Sequence, residues 1–172
     1  MAIHAVVRTD LMSGTDVRAD LVSVKYMGAN GQTPTDIDNG CVLKVGSLMK
    51  DEREIFVGSN VAADTDLNEV VLIASPEVMY DERLRNLSDF YNVAGKAARG
   101  YRLRSGNVFG VTDAALDLGS FNASNAKGKI VELQSGNKMK VVASLTGGST
   151  QVGTILDVET AGLYTYFVIL VK

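Results

Sequence analysis

The sequence predicts a mainly β protein, namely a small barrel or sandwich of hairpins with one or two short helices and an N-terminal arm. Three observations favour this fold class. The chain has 17 glycines but only 2 prolines, so tight turns form easily and few positions interrupt a strand. From residue 40 onwards, short β-branched runs alternate with polar turn formers. Helical spacing of apolar residues is evident in one stretch, at 77–95.

The length of 172 residues suits one ordinary domain, or one domain that carries an ordered arm. A chain of this size buries roughly two thirds of its unfolded surface and needs no covalent cross-link. Cys41 is the only cysteine, so an intramolecular disulfide is excluded. The first residues show no secretory pattern and no apolar run spans a membrane, so we expect synthesis in a reducing cytosol. A chain that later leaves the cell inside a particle has the same features.

The first 38 residues differ in texture from the rest and are predicted to be an arm, or extra strands, followed by a linker. Val6, Leu11, Val17 and Leu21 stand among charges without a contiguous apolar run. Residues 28–40 are rich in turn-forming residues and are the best candidate for a linker. One hypothesis is that the arm packs against another subunit, where those four residues would be buried. The alternative is that this stretch adds two strands to the domain formed by 39–172.

The body begins with strands at 41–45, 55–57 and 70–74, which are joined by polar connections. Tyr80, Leu84 and Leu87 then fall at helical spacing, with acidic residues where a first helical turn favours them. We therefore predict a short helix at 81–89. A second helical turn is predicted at 112–117, with Thr112 as its N-cap.

Three hairpins are predicted in the last seventy residues, around 105–107, 135–137 and 160–162. A three-residue loop at 135–137 sets Leu133 opposite Met139 and Glu132 opposite Lys140, so that apolar pairs share one face and an ion pair lies on the other. The same construction pairs Leu103 with Phe109 across 105–107. The third hairpin joins 153–159 to 163–171, and the second of these strands is apolar enough to be covered on both faces. The predicted common core consists of Leu103, Phe109, Leu133, Met139, Val141, Leu156 and Phe167.

The sequence shows no recognisable arrangement of catalytic residues. We therefore predict that the protein is not an enzyme and that it has no cofactor and no metal site. The single histidine, His4, lies in the arm and is expected at the surface, and Cys41 is expected in the core. One histidine and one cysteine are too few for a zinc site. Residues 36–40 resemble the start of a calcium loop, but no closing glutamate follows at the required position.

The net charge of −3 is unevenly distributed. Basic side chains are concentrated at 81–104, and Arg83, Arg85, Arg99, Arg102 and Arg104 are the charged candidates for an interaction surface; most such surface charge is simply solvated. The only basic cluster that contains an aromatic residue surrounds Tyr101. Since the predicted register turns Tyr101 inward and the chain is acidic, we do not expect a nucleic-acid partner.

Residues 39–172 resemble small proteins encoded beside the major capsid genes of tailed bacteriophages. The resemblance is carried by turn and strand segments, which include Asn39-Gly-Cys-Val-Leu-Lys-Val-Gly46, Glu52-Arg-Glu-Ile-Phe-Val57, Tyr80-Asp-Glu, Asp89-Phe-Tyr-Asn92, Arg99-Gly-Tyr-Arg-Leu103 and Gly106-Asn-Val-Phe-Gly-Val-Thr112. None of these segments is a catalytic or ligand-binding motif. Residues 1–38 depart from the pattern.

The resemblance implies a head-decoration, or auxiliary capsid, protein. Such a protein would be assembled in the host cytoplasm and would lie on the outside of the virion. Its expected partners are the major capsid protein and other copies of itself on the lattice, with no membrane. The alternatives are a tail- or baseplate-associated structural protein, and a small-barrel module that binds a sugar or an oligonucleotide.

Overall fold

The computed structural model describes residues 4–8, 20–81, 83 and 86–172. The fold is mainly β, as predicted, with 43% of the described residues in strands and bridges. It consists of a closed five-stranded barrel followed by a curled six-stranded sheet that forms a half-barrel. No α-helix occurs within the described residues, where helical structure is confined to short 3₁₀ turns.

The barrel is built from the first five strands in the spatial order β1-β3-β2-β4-β5. The strands are β1 Leu21–Tyr26, β2 Val42–Leu48, β3 Ile55–Ser59, β4 Val70–Ile73 and β5 Ala98–Arg102. The ring closes because β1 pairs in parallel with β3 and antiparallel with β5. Gly58 and Gly100 allow this tight closure, since a Cβ at Gly58 would lie 2.7 Å from Val24 and one at Gly100 would lie 2.9 Å from Val71.

The half-barrel follows in the order β6-β11-β10-β8-β9-β7. Its strands are β6 Val108–Thr112, β7 Leu116–Asp117, β8 Ile130–Leu133, β9 Met139–Val142, β10 Gln151–Ala161 and β11 Tyr164–Val171.

Two apolar cores result from the alternation of side chains along the barrel strands. Val24, Leu43, Val71 and Ile73 point into the barrel and pack with Cys41. Their neighbours on β2 and β4 point outward and pack against the half-barrel in the larger core: Val42, Val70 and Leu72. The half-barrel therefore covers one side of the barrel.

The predicted hairpin at 135–137 is confirmed residue by residue. Val131 pairs with Val141, Glu132 with Lys140 and Leu133 with Met139. The predicted ion pair is wrong, however. Glu132 is only 2% exposed, and its carboxylate accepts hydrogen bonds from the backbone N–H and the hydroxyl of Thr146 at 2.8 and 2.7 Å.

The hairpin predicted around 105–107 is wrong in its pairing. The turn itself exists, since the Asn107 N–H donates to the Arg104 carbonyl and Gly106 has a φ of 89°. The two strands that flank this turn do not pair with each other, because β5 pairs with β1 and β4 in the barrel, whereas β6 pairs with β11 in the half-barrel. Leu103 and Phe109 are nevertheless buried in the same core.

The third hairpin is confirmed, but its predicted loop at 160–162 is wrong. Thr160 and Ala161 pair with Thr165 and Tyr164, so the loop is two residues long, at 162–163. All but one of the predicted core residues lie together in the larger core. The exception is Leu156, which is 45% exposed. A β-bulge between Ile155 and Asp157 turns Leu156 outward, so that Ile155 takes the inward position.

The helix predicted at 81–89 is wrong for the residues that the structure describes. That stretch contains only the 3₁₀ helix Leu87–Asp89, while Leu84 lies outside the described residues. Tyr80 is 95% exposed and Leu87 is 40% exposed, so neither residue packs in a core as the buried face of the predicted helix would require. A helix this short needs such packing to be stable. The second predicted turn is shorter than expected: it is the 3₁₀ helix Asp113–Ala115, and Leu116–Asp117 forms β7. Thr112 occupies the N-cap position, but its side chain makes no capping hydrogen bond.

Residues 20–38 belong to the barrel rather than to a separate linker. Leu21–Tyr26 is a barrel strand, which corresponds to the alternative of extra strands. Ile37 forms a β-bridge to Asn92, and Asn39 is fully buried. Residues 4–8 run beside β6, where Val7 bridges to Val111.

Burial of Cys41 raises the pKa of its thiol to about 12, from an ordinary value of 9.0. Folding therefore favours the protonated thiol, and the corresponding stability is complete below about pH 9 and is lost as the pH rises towards 12. We expect the chain to lose roughly 1 kcal/mol of unfolding free energy between pH 8 and 10 that Cys41→Ala does not lose. Urea denaturation of both proteins at the two pH values measures this difference. Equal losses would show that Cys41 ionises normally in the folded state.

Candidate functional site

Residues 74–97 connect β4 to β5 and carry an uncovered apolar surface. Val78, Tyr80 and Val93 are 58%, 95% and 50% exposed. Together with Met79, Phe90 and Tyr91 they line a groove of about 240 Å³, which we call the apolar groove. Aromatic and methionine side chains with few unpaired charges are the composition of the centre of a protein–protein interface.

The charges within and beside the apolar groove are paired locally. The Arg83 guanidinium donates to both carboxylate oxygens of Asp81, and this contact lowers the pKa of Asp81. Asp89 is 7% exposed and accepts a hydrogen bond from the Asn86 backbone N–H at 3.0 Å. Among the described residues, the groove therefore exposes apolar surface without an uncompensated carboxylate.

Contacts from the N-terminal part of the chain hold the groove in place. His4 stacks on Tyr91 with ring centroids 4.8 Å apart, and its Nδ1 lies 2.9 Å from Asp38 Oδ1. The His4 backbone N–H donates to the Ser88 carbonyl. His4 is thus a half-buried anchor and not the free surface residue that we predicted.

A buried amide network supports the groove from the barrel side. The Asn39 Nδ2 donates to the Ser75 carbonyl at 2.8 Å, and its Oδ1 accepts from the Ser75 N–H and from Asn92 Nδ2. Asp36 accepts a 2.6 Å hydrogen bond from the Ala94 N–H. The two ends of the 74–97 connection are therefore fixed to the stretch that was predicted to be a linker.

Of the four apolar candidates in the arm, two lie within the described residues. Val6 is 1% exposed, and its backbone N–H donates to the Thr112 hydroxyl, so it is buried within its own chain. Leu21 is half-buried on β1 beside Arg99. Leu11 and Val17 lie outside the described residues.

The basic candidates do not form one patch. Arg102 and Arg104 both reach Asn68, and Arg104 also pairs with Asp20 at 2.8 Å. Arg99 lies opposite Ser23 on the outer face of the barrel. Arg83 lies beside the apolar groove, and Arg85 falls outside the described residues.

The part of the chain that the structure describes contains no group of three or more His, Cys, Asp and Glu side chains positioned to hold a metal ion. Asp36 and Asp38, the residues of the calcium-like stretch, are engaged with Ala94 and His4. In the same residues, no helix is long and apolar enough to cross a membrane.

Sequence reasoning missed the apolar groove because a helix was predicted at 81–89, between the two groups of apolar residues that line it, and Tyr80 was assigned to the apolar face of that helix. The available signal was the closeness of Val78, Met79 and Tyr80 to a second apolar pair, Phe90 and Tyr91, in a stretch without strand character. Comparison of the chain with protein-family models, curated proteins and solved structures found no match.

Proposed function

We propose that this chain is a structural protein of a tailed-bacteriophage virion, which binds the outside of the capsid lattice and stabilises it. The observation that carries the proposal is the apolar groove, an exposed and locally neutralised surface held on a rigid base. It complements the resemblance of 39–172 to proteins encoded beside major capsid genes. The partner is the major capsid protein, and copies of the chain would also meet one another on the lattice.

The energetic reason for decorating a shell is mass action. A protein that binds the assembled lattice but not the loose subunits stabilises the lattice by the free energy of binding. Desolvation of an exposed aromatic side chain such as Tyr80 is typical of the few residues that dominate an interface. Because many identical sites lie on one shell, a modest affinity at each site still gives high occupancy once copies also contact one another.

The test uses shells assembled from the major capsid protein of the phage that the proposal implies as the source of this chain. We expect the purified chain to sediment with mature shells and not with unassembled capsid protein. Tyr80→Ser and Val93→Ser should each weaken binding by about tenfold to a hundredfold, as for truncated interface anchors. Both side chains are exposed, so the unfolding free energy should change by less than about 0.5 kcal/mol.

Leu145→Ser is the matched control, because Leu145 is 43% exposed in the 143–150 loop, outside the apolar groove. It should load like the unaltered chain. If all three variants load equally, docking occurs through another surface. If the unaltered chain fails to bind shells but forms rings or tubes, the tail-associated alternative is correct.

A further inference from the structure

A second concave surface lies where the N-terminal segment, the 3₁₀ helix Asp113–Ala115 and the tip of the β10–β11 hairpin meet. The cavity has a volume of about 420 Å³, within the usual range for small-molecule sites. Its lining combines hydrogen-bonding and aromatic side chains, chiefly His4, Asn86, Ser88, Asp113, Tyr164 and Thr165. The proposed docking function does not involve this cavity.

Hydrogen bonds hold the aromatic wall of the cavity in position. The Tyr164 hydroxyl accepts from the Ser88 backbone N–H at 3.2 Å and lies 3.3 Å from the Ser88 hydroxyl oxygen. The Tyr164 ring also packs against Tyr166, with ring centroids 6.2 Å apart. A ligand that stacks on Tyr164 therefore meets a ring that is already oriented, which reduces the entropic cost of binding.

The polar wall is preorganised in the same way. Contact of His4 Nδ1 with Asp38 leaves Nε2 as the ring nitrogen available to a ligand. Asp113 is exposed at the cavity and offers two carboxylate oxygens, and Thr165 supplies a hydroxyl that both donates and accepts. The cavity thus offers donors and acceptors together, beside an apolar ring and the apolar side chains of Ala114 and Leu163.

We propose that this cavity binds one ring of a neutral saccharide. A pyranose has alternating hydroxyls, which need both donors and acceptors, and an apolar C–H face, which suits the Tyr164 ring. A carboxylate that accepts from two neighbouring hydroxyls gives orientation. An anionic ligand is disfavoured by Asp113, and a purely cationic one would leave the donors of the cavity unused.

The test is titration of the ¹⁵N-labelled full chain with methyl glycosides of glucose, galactose, mannose and N-acetylglucosamine, observed through backbone amide shifts. We expect at least one glycoside to shift the amides of Ser88, Ala114 and Thr165 with a dissociation constant on the order of millimolar, as its small size implies. Asp113→Asn should weaken that binding about tenfold, since a charged acceptor is lost. The exposed Asp64→Asn in the connection before β4 is the matched control and should bind normally.

A parallel titration with arginine amide distinguishes the saccharide from the competing occupant, a basic side chain of a partner protein. If arginine amide shifts these amides and no glycoside does, the cavity is a socket for a partner's basic residue and the saccharide proposal is overturned. Absence of shifts with every glycoside overturns it equally, as does unchanged glycoside binding by Asp113→Asn together with Thr165→Val. Capsid loading is measured separately, so failure of one proposal does not imply failure of the other.

Discussion

Replacement of Phe167 by alanine is expected to lower the unfolding free energy by about 3–5 kcal/mol, as for other buried aromatic side chains. Phe167 is 2% exposed and lies on β11, where it pairs with Val158 on one side and Val111 on the other. Truncation leaves a cavity in the core shared by the barrel and the half-barrel, and the paired strands restrict its collapse. Urea denaturation at neutral pH measures the loss.

Leu156→Ala is the matched control on the neighbouring strand. The bulge leaves this leucine 45% exposed, so its truncation should cost less than about 1 kcal/mol. A cost below about 1 kcal/mol for Phe167→Ala itself would contradict the position of β11 in the core.

Replacement of Asn39 by alanine is also expected to cost about 3–5 kcal/mol. The substitution removes the partners of the Ser75 carbonyl and the Ser75 N–H, and one of the two acceptors of the Asn92 amide, which keeps the Ile37 carbonyl; all of these groups are at buried residues. Each unsatisfied buried group costs about 1–3 kcal/mol, although water entering the vacated space recovers part of this. Because the network fixes the 74–97 connection, the apolar groove should also become more accessible to proteolysis.

Asn30→Ala tests whether the effect belongs to this network, since Asn30 is an exposed asparagine in the turn after β1. We expect it to change the unfolding free energy by less than about 0.5 kcal/mol. If Asn39→Ala were equally mild, the amide network would not support the connection.

The candidate site was only partly predictable. The sequence identified the basic residues at 81–104 and the arm as the surfaces of interest, whereas the structure commits Arg102, Arg104 and Val6 to contacts within the chain. Whether an apolar residue such as Tyr80 is exposed depends on which elements cover it. That information is distributed over the whole fold and leaves only a weak local signal.

The sequence by itself determined the mainly β fold class and the register of β8 against β9. In that hairpin the loop is short and the two strands have one compatible alternation of apolar and polar residues, so local information suffices. Only the tertiary structure decided the partners of β5 and β6, although the turn between them was recognisable. Each strand offers two edges, and pairing with β1 and β4 closes a barrel, whereas pairing with β11 extends the half-barrel. These pairings join residues far apart in sequence, and the burial gained when whole sheets close outweighs the short-range preference for a hairpin.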